Sequence, residues 1–260
     1  MVKLDVCAGR FCPLCGDVGR LAFDKDAYHL RECRGDAVGR PHPPVLLSWL
    51  WRSETEYDRM YLEDLNYHNA VQRAGGQLPF DMREEELARA AYSRMRHLEP
   101  FISPGTSICD VGAAYGMFSL IARAMGYMAF SLEPNPTVVA VARAVGRHIE
   151  VGTWRDVKEK WDVITLFDVF EHLTRPRACL RHLVNCLTPA GVILLEMPEW
   201  DAGNSRCMKH VRPEQHPVLY SAGAAEQLFS EEGLRVLEFH RPVRGELGKM
   251  SWLLMRSEVE

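Results

Sequence analysis

From residue 107 onward, short apolar runs alternate with helical patterns, and this alternation constrains the fold more than any other property of the chain. Ser107-Ile108-Cys109-Asp110-Val111 reads as a buried strand. Residues 117–124 read as a helix stopped by Gly126, and 127–132 as a second strand. Asn135 can cap the next helix, with Pro136 at its first position and Gly146 ending it. Glu150-Val151 closes a short third strand, and residues 162–167, dense in β-branched and aromatic side chains, form a fourth. A helix over about 177–187 carries Leu180, Leu183, Val184 and Leu187 on one face. Thr188-Pro189-Ala190-Gly191 turns it into a fifth strand over 192–197. A last helix over 222–232 stops at Gly233, and residues 234–239 and 251–255 finish as an antiparallel hairpin. Such alternation predicts an α/β fold with a mainly parallel sheet covered on both faces, and ligands on such sheets sit at the carboxyl ends of the strands.

Two further regions precede this body. Residues 1–43 are poor in aliphatics and end at the breaker Arg40-Pro41-His42-Pro43-Pro44. Residues 44–103 read as a helical linker or lid, in which Leu87, Ala91, Met95 and Leu98 recur at helical spacing. The body then spans 104–260. Four of the eight cysteines fall within the first 33 residues. Cys12-Pro13-Leu14-Cys15-Gly16 has the form of a zinc knuckle, with Cys33 as a third thiol. The fourth ligand is open among Cys7, His29, Asp36 and His42; Cys7, the remaining thiol of the cluster, is preferred. All these ligands are protein groups, so a zinc ion here would be structural.

Composition excludes several classes. No apolar run approaches the roughly 18 residues of a membrane span. The first residues lack the apolar stretch of a signal peptide, so clustered thiols are expected to bind metal in a cytoplasmic protein rather than to form disulfides. The net charge is −4, and residues 1–43 balance seven Lys/Arg against six Asp/Glu, which argues against nucleic acid as a partner.

Four features fall where a strand meets a loop. Gly112 and Gly116 in Asp110-Val111-Gly112-Ala113-Ala114-Tyr115-Gly116 allow close backbone approach to a ligand and a tight helix start. Glu133, ending the second strand, could accept both hydrogen bonds of a ribose diol. Trp154, in Gly152-Thr153-Trp154, could stack on a purine, and Asp168 ends the fourth strand. Asp110 could grip an ammonium group but would repel a pyrophosphate, which points to an amino acid linked to a nucleoside rather than to a dinucleotide.

On Ile108-Cys109-Asp110-Val111-Gly112-Ala113-Ala114-Tyr115-Gly116, Ser131-Leu132-Glu133-Pro134, Asp162 through His172-Leu173 and Leu187-Thr188-Pro189-Ala190-Gly191, the sequence resembles the class I S-adenosylmethionine (SAM)-dependent methyltransferases, with Ala114 replacing the usual glycine. The resemblance covers about residues 84–256 and implies a Rossmann-like sheet. It implies that Asp110 and the loop through Gly112, Ala113, Ala114, Tyr115 and Gly116 hold the methionine part, and that Glu133 with Pro134 holds the ribose. Thr153, Trp154, Asp168 and Val169 would then flank adenine and sulfonium. With the cysteine segment in front, the chain is similar to the sugar C-methyltransferases of deoxysugar biosynthesis.

Methyl transfer from a sulfonium needs positioning and, for a carbon or hydroxyl acceptor, a base. His172 and His216 are the candidates. The segment holding Glu214, His216 and Tyr220 resembles the acceptor side of the sugar enzymes, which favours His216. Arg206, Lys209, His210 and Arg212 suit a phosphate or carboxylate on the acceptor. The expected function is methylation of a small metabolite such as a nucleotide-linked sugar; an RNA methyltransferase and a non-enzymatic interaction module are the alternatives.

Overall fold

The computed structural model describes residues 11–25, 28–48, 80–213, 215–241 and 249–257, with residues 80–83, 205 and 206 described by backbone alone. Cys7 and Glu214 lie outside the described residues, as does most of the 44–103 stretch read as helical. In chain order the strands are β1 (Arg20–Lys25), β2 (Tyr28–Cys33), β3 (Val45–Ser48), β4 (Ser107–Val111), β5 (Met128–Glu133), β6 (Glu150–Val151), β7 (Trp161–Phe167), β8 (Leu187–Pro198), β9 (Val218–Tyr220), β10 (Leu234–His240) and β11 (Lys249–Arg256). The α-helices are α1 (Phe80–Leu98), α2 (Met117–Ala124), α3 (Pro136–Ala144), α4 (Pro176–Asn185) and α5 (Ala222–Glu231).

The larger sheet has seven strands in the order β10-β11-β8-β7-β4-β5-β6. Strands β8, β7, β4, β5 and β6 run parallel, and β11 and β10 close one edge antiparallel, as the alternation predicted. β4 pairs with β5 on one side and β7 on the other, so the strand order reverses there and opens a crevice at the carboxyl ends. The local signals act as expected. Asn135 Oδ1 accepts from the backbone N–H groups of Thr137 and Val138 with Pro136 at the first turn, and Gly116 starts α2 from the left-handed region at φ +72°. The turn expected at 188–191 is a loop-out within β8: Leu187 pairs with Trp161 and Val192 with Val163.

Helix α1 buries Ala91, Met95 and Leu98 against Phe118, Ala122 and Ile108, whereas Leu87 is exposed and faces the crevice. Val45-Leu46-Leu47-Ser48 is a strand rather than the start of a helix; Pro43 and Pro44 keep the preceding backbone extended, and β2 supplies a partner. β3 also pairs with β9, from the body, so the smaller antiparallel sheet β1-β2-β3-β9 joins both ends of the chain. Cys12, Leu14, Cys15 and Cys33 pack in one core with Phe170, Tyr220, Phe229 and Trp252. None of the described helices is long and apolar enough to cross a membrane.

Arg177 fastens this junction. Its side chain is 4% exposed; Nε donates to the Pro13 carbonyl at 2.5 Å, Nη1 binds Glu232 at 2.6 Å, and Nη2 binds Glu231. Glu232 also accepts from Arg181 Nε at 2.7 Å. Removing a buried partner strands the charge it neutralised. Arg177→Met is therefore expected to lower unfolding free energy by about 3 kcal/mol; an unchanged denaturant midpoint would show that the network contributes nothing.

Candidate active site

The crevice at the strand reversal is a cavity of about 920 Å³. Every residue expected to face a cofactor lines it except Gly116, which starts α2. Asp110, one residue before the end of β4, has 2% of its surface exposed and accepts from Thr165 Oγ1 of β7 at 2.7 Å. Burial pushes its carboxyl up to about 7, although Thr165 and Arg94 favour the charged form. Gly112 has φ +73°, and a Cβ there would sit 2.4 Å from Val169 Cγ2, so a side chain is excluded twice over. Ala114 adopts φ +48° without being glycine. Its N–H donates to Glu133 Oε2 at 2.9 Å, while Asn135 N–H donates to Oε1 at 3.0 Å. These two bonds fix the Glu133 carboxylate at the cavity wall. Thr153 caps a short 3-10 turn that presents Trp154, whose indole is held edge-on by His182 at 5.7 Å and covered by the Arg155 guanidinium at 4.3 Å.

The same cavity continues between α1 and the terminal hairpin, where Arg94, His97, Glu196, His240 and Lys249 line it. Asp168, at φ +55°, takes Lys249 Nζ at 2.6 Å and Arg94 Nη2 at 3.7 Å. Arg94 also binds Glu196 and lies 4.1 Å over the Phe167 ring. His97 and His240 meet with their rings tilted by 48° and centroids 4.8 Å apart; burial, followed by His240, lowers the His97 pKa. None of these five was singled out from the sequence. They come from α1, β8 and the hairpin, and only the fold makes them neighbours.

Of the histidines expected near the acceptor, His172 lines the cavity. His216 stands behind it, 4% exposed, with ring centroids 4.7 Å apart. Burial lowers His172 to about 4 and His216 to about 2, so both imidazoles are neutral at physiological pH. His216 is thus off the wall on which a base was expected. Tyr220 is also off it: wholly buried in the core beside Phe170 at 5.6 Å, because its strand pairs with β3. In the basic run, Lys209 and Arg212 are exposed and do not line the cavity.

At the other junction, Cys12, Cys15, Cys33 and His42 each offer one donor atom within 4.8 Å of the others. His42 Nε2 is 3.4 Å from Cys12 Sγ and 3.3 Å from Cys15 Sγ, while its Nδ1 meets the Pro43 carbonyl at 2.7 Å. Among the described residues His42 is the fourth donor gathered with the three thiols, and three thiols with one imidazole are donors of the kind that suits tetrahedral zinc; the preferred Cys7 lies outside the described residues. His29 pairs instead with Asp24 at 2.6 Å.

Residues 81–238, more than half of the chain, match the family model described as a methyltransferase domain. The chain belongs to this methyltransferase family. No curated protein matches it in sequence. Its fold is similar to magnesium protoporphyrin IX methyltransferase from Synechocystis, solved with bound S-adenosylhomocysteine (SAH): 14% identity, TM-score 0.61, covering 79% of this chain and 100% of that one. It is likewise similar to the 1,6-didemethyltoxoflavin-N1-methyltransferase of Burkholderia thailandensis (12%, TM-score 0.60, 92% and 100%). Mitomycin 7-O-methyltransferase is a third (17%, TM-score 0.58, 77% and 60%). These are class I SAM-dependent methyltransferase folds, and the expected Rossmann-like architecture holds for this enzyme family member.

Cobalt substitution separates the two choices for the fourth cysteine-site ligand. His42→Ala is expected to change the thiolate-to-cobalt charge-transfer spectrum and lower Tm by several degrees, whereas Cys7→Ser leaves both unchanged. The reverse pattern would assign the position to Cys7.

Proposed function

We propose that this methyltransferase transfers the methyl group of SAM to a small polar acceptor bound between α1 and the terminal hairpin. The continuity of one cavity, from Asp110 and Glu133 at one end to Arg94, His172 and Lys249 at the other, carries this reading. Asp110 faces the cofactor ammonium, Glu133 the ribose diol, and Thr153 with Trp154 the adenine. The backbone of Gly112, Ala113, Ala114 and Tyr115 forms the floor under the methionine chain, with Pro134 and Val169 closing the sides. Asp168 and His172 line the stretch of wall between the two ends, where an acceptor would have to meet the donor for in-line transfer. His216 acts at one remove, through its contact with His172.

Three of the similar structures are enzymes named for small-molecule acceptors. Here Arg94 and Lys249 supply the cations on the acceptor side, and a carboxylate or phosphate on the acceptor would compete for them with Asp168 and Glu196. Zinc held by Cys12, Cys15, Cys33 and His42 would have four protein ligands and no open position, so it would stabilise the junction and take no part in transfer.

Calorimetric titration with SAH tests the cofactor half. Binding should tighten about tenfold between pH 6 and 8, because Asp110 must be ionised to hold the ammonium and burial keeps it protonated below about 7. Asp110→Asn should weaken binding and flatten that dependence; a pH-independent affinity in the wild type would remove Asp110 from the site. For the acceptor half, His172→Ala should retain SAH affinity within about threefold and lower kcat at least a hundredfold, of order 3 kcal/mol. Wild-type turnover in this variant would displace the acceptor from His172.

A further inference from the structure

Methyl transfer from a sulfonium does not itself require three clustered metal-type donors, yet such a group stands behind the acceptor wall. Glu171 and His172 are consecutive in the 3-10 turn after β7, and His216 comes from the loop before β9. One donor atom of each lies within 4.8 Å of the others. Glu171 is 1% exposed and His216 4%, so water does not solvate this group freely.

The two imidazoles are arranged alike. Nδ1 of His172 meets the Gln215 carbonyl at 2.8 Å, and Nδ1 of His216 meets the His210 carbonyl at 2.6 Å. A carbonyl oxygen only accepts, so each Nδ1 carries the proton, and in the neutral ring each Nε2 carries a lone pair. A backbone carbonyl on one ring nitrogen is the usual device for aiming the other at a metal ion. The third donor residue is Glu171, whose Oε2 is buried without a hydrogen-bond partner among the described residues. An unsatisfied buried carboxylate oxygen is costly, and a cation removes that cost. Two imidazoles and one carboxylate form a donor set for divalent transition metals that leaves coordination positions open. Charges of both signs face the group: the Asp168 carboxylate, itself paired with Lys249 and Arg94, and the Arg212 guanidinium.

We propose that Glu171, His172 and His216 bind a divalent transition-metal ion, separate from the cysteine site and adjoining the acceptor end of the cavity. Its use there, to polarise an acceptor oxygen and favour loss of its proton, rests on the methyl-transfer reading; the binding of the ion does not. It also accounts for a histidine that sits behind the wall rather than on it: His216 is a ligand instead of a base.

The test counts metal ions. Bound metal in the full-length protein as purified is measured by elemental analysis, and added uptake by Mn²⁺ titration followed through loss of the free-ion paramagnetic resonance signal. The wild type should hold one ion per chain beyond the thiol-bound one, which is counted separately by cobalt charge transfer. Glu171→Gln and His216→Gln should each reduce the total by one, or weaken Mn²⁺ binding at least tenfold, with SAH affinity and the thiol-bound ion unchanged. A wild-type total fully accounted for by the thiol site would overturn the proposal whatever the variants do, as would an unaltered total in both folded variants. Failure of SAH to bind, with the second ion present, would instead strike the methyl-transfer reading alone.

Discussion

Asp110 is the penultimate residue of β4, inside the protein, with Thr165 Oγ1 as its hydrogen-bond donor and the Gly112 turn following Val111. A carboxylate in such a place is short of compensation, and burial keeps its proton to about pH 7. The neighbouring elements are organised around that position. β5 and β7 flank β4 on its two sides, so loops leave the sheet in opposite directions and the crevice opens above the acid. The left-handed turn at Gly112 sends backbone N–H groups of Gly112 and Ala113 to the Leu132 carbonyl, which locks the loop to β5 and brings Ala114 to Glu133. A cationic ligand head group would complete a charge balance that the protein leaves unfinished.

The wall of the cavity at His172 depends on a different construction. The chain from the end of β8 to Ser221 carries His210, Gln215 and His216, and it is stitched to the N-terminal segment at several points. Trp200 Nε1 donates to Glu32 at 2.9 Å, Ser48 N–H to the Pro217 carbonyl at 3.0 Å, Ser221 N–H to the Pro44 carbonyl at 3.1 Å, and Lys25 Nζ to the Val211 carbonyl. β9 completes the sheet of β1, β2 and β3. The cysteine segment therefore shares a core with Phe170 and Tyr220, beside the Gln215 carbonyl that meets His172.

Much of the sheet was legible because strand and helix periodicities are local. Asn135-Pro136, Gly126 and Gly233 mark boundaries through backbone chemistry that needs no tertiary partner. The loop-forming residues of the cofactor end were legible for a similar reason: Asp110, Gly112 and Ala114 lie within one turn, and Glu133 follows at the end of the next strand. The β3 strand was not legible. Val45-Leu46-Leu47 is too short to distinguish helix from strand by pattern, and its partners are β2 and, far away in sequence, β9.

The sequence alone determined the alternating α/β body, the residue types at the cofactor end and the thiols of the knuckle, because each is written in a short contiguous stretch. Tertiary structure decided which side chains share a space. It brought Arg94 from α1 to Asp168 and Glu196, Lys249 from the hairpin to Asp168, and His42 to Cys12 and Cys15. It also withdrew Tyr220 into the core and set His216 behind His172. No local pattern encodes these placements, since each follows from strand pairing and burial between segments tens to hundreds of residues apart.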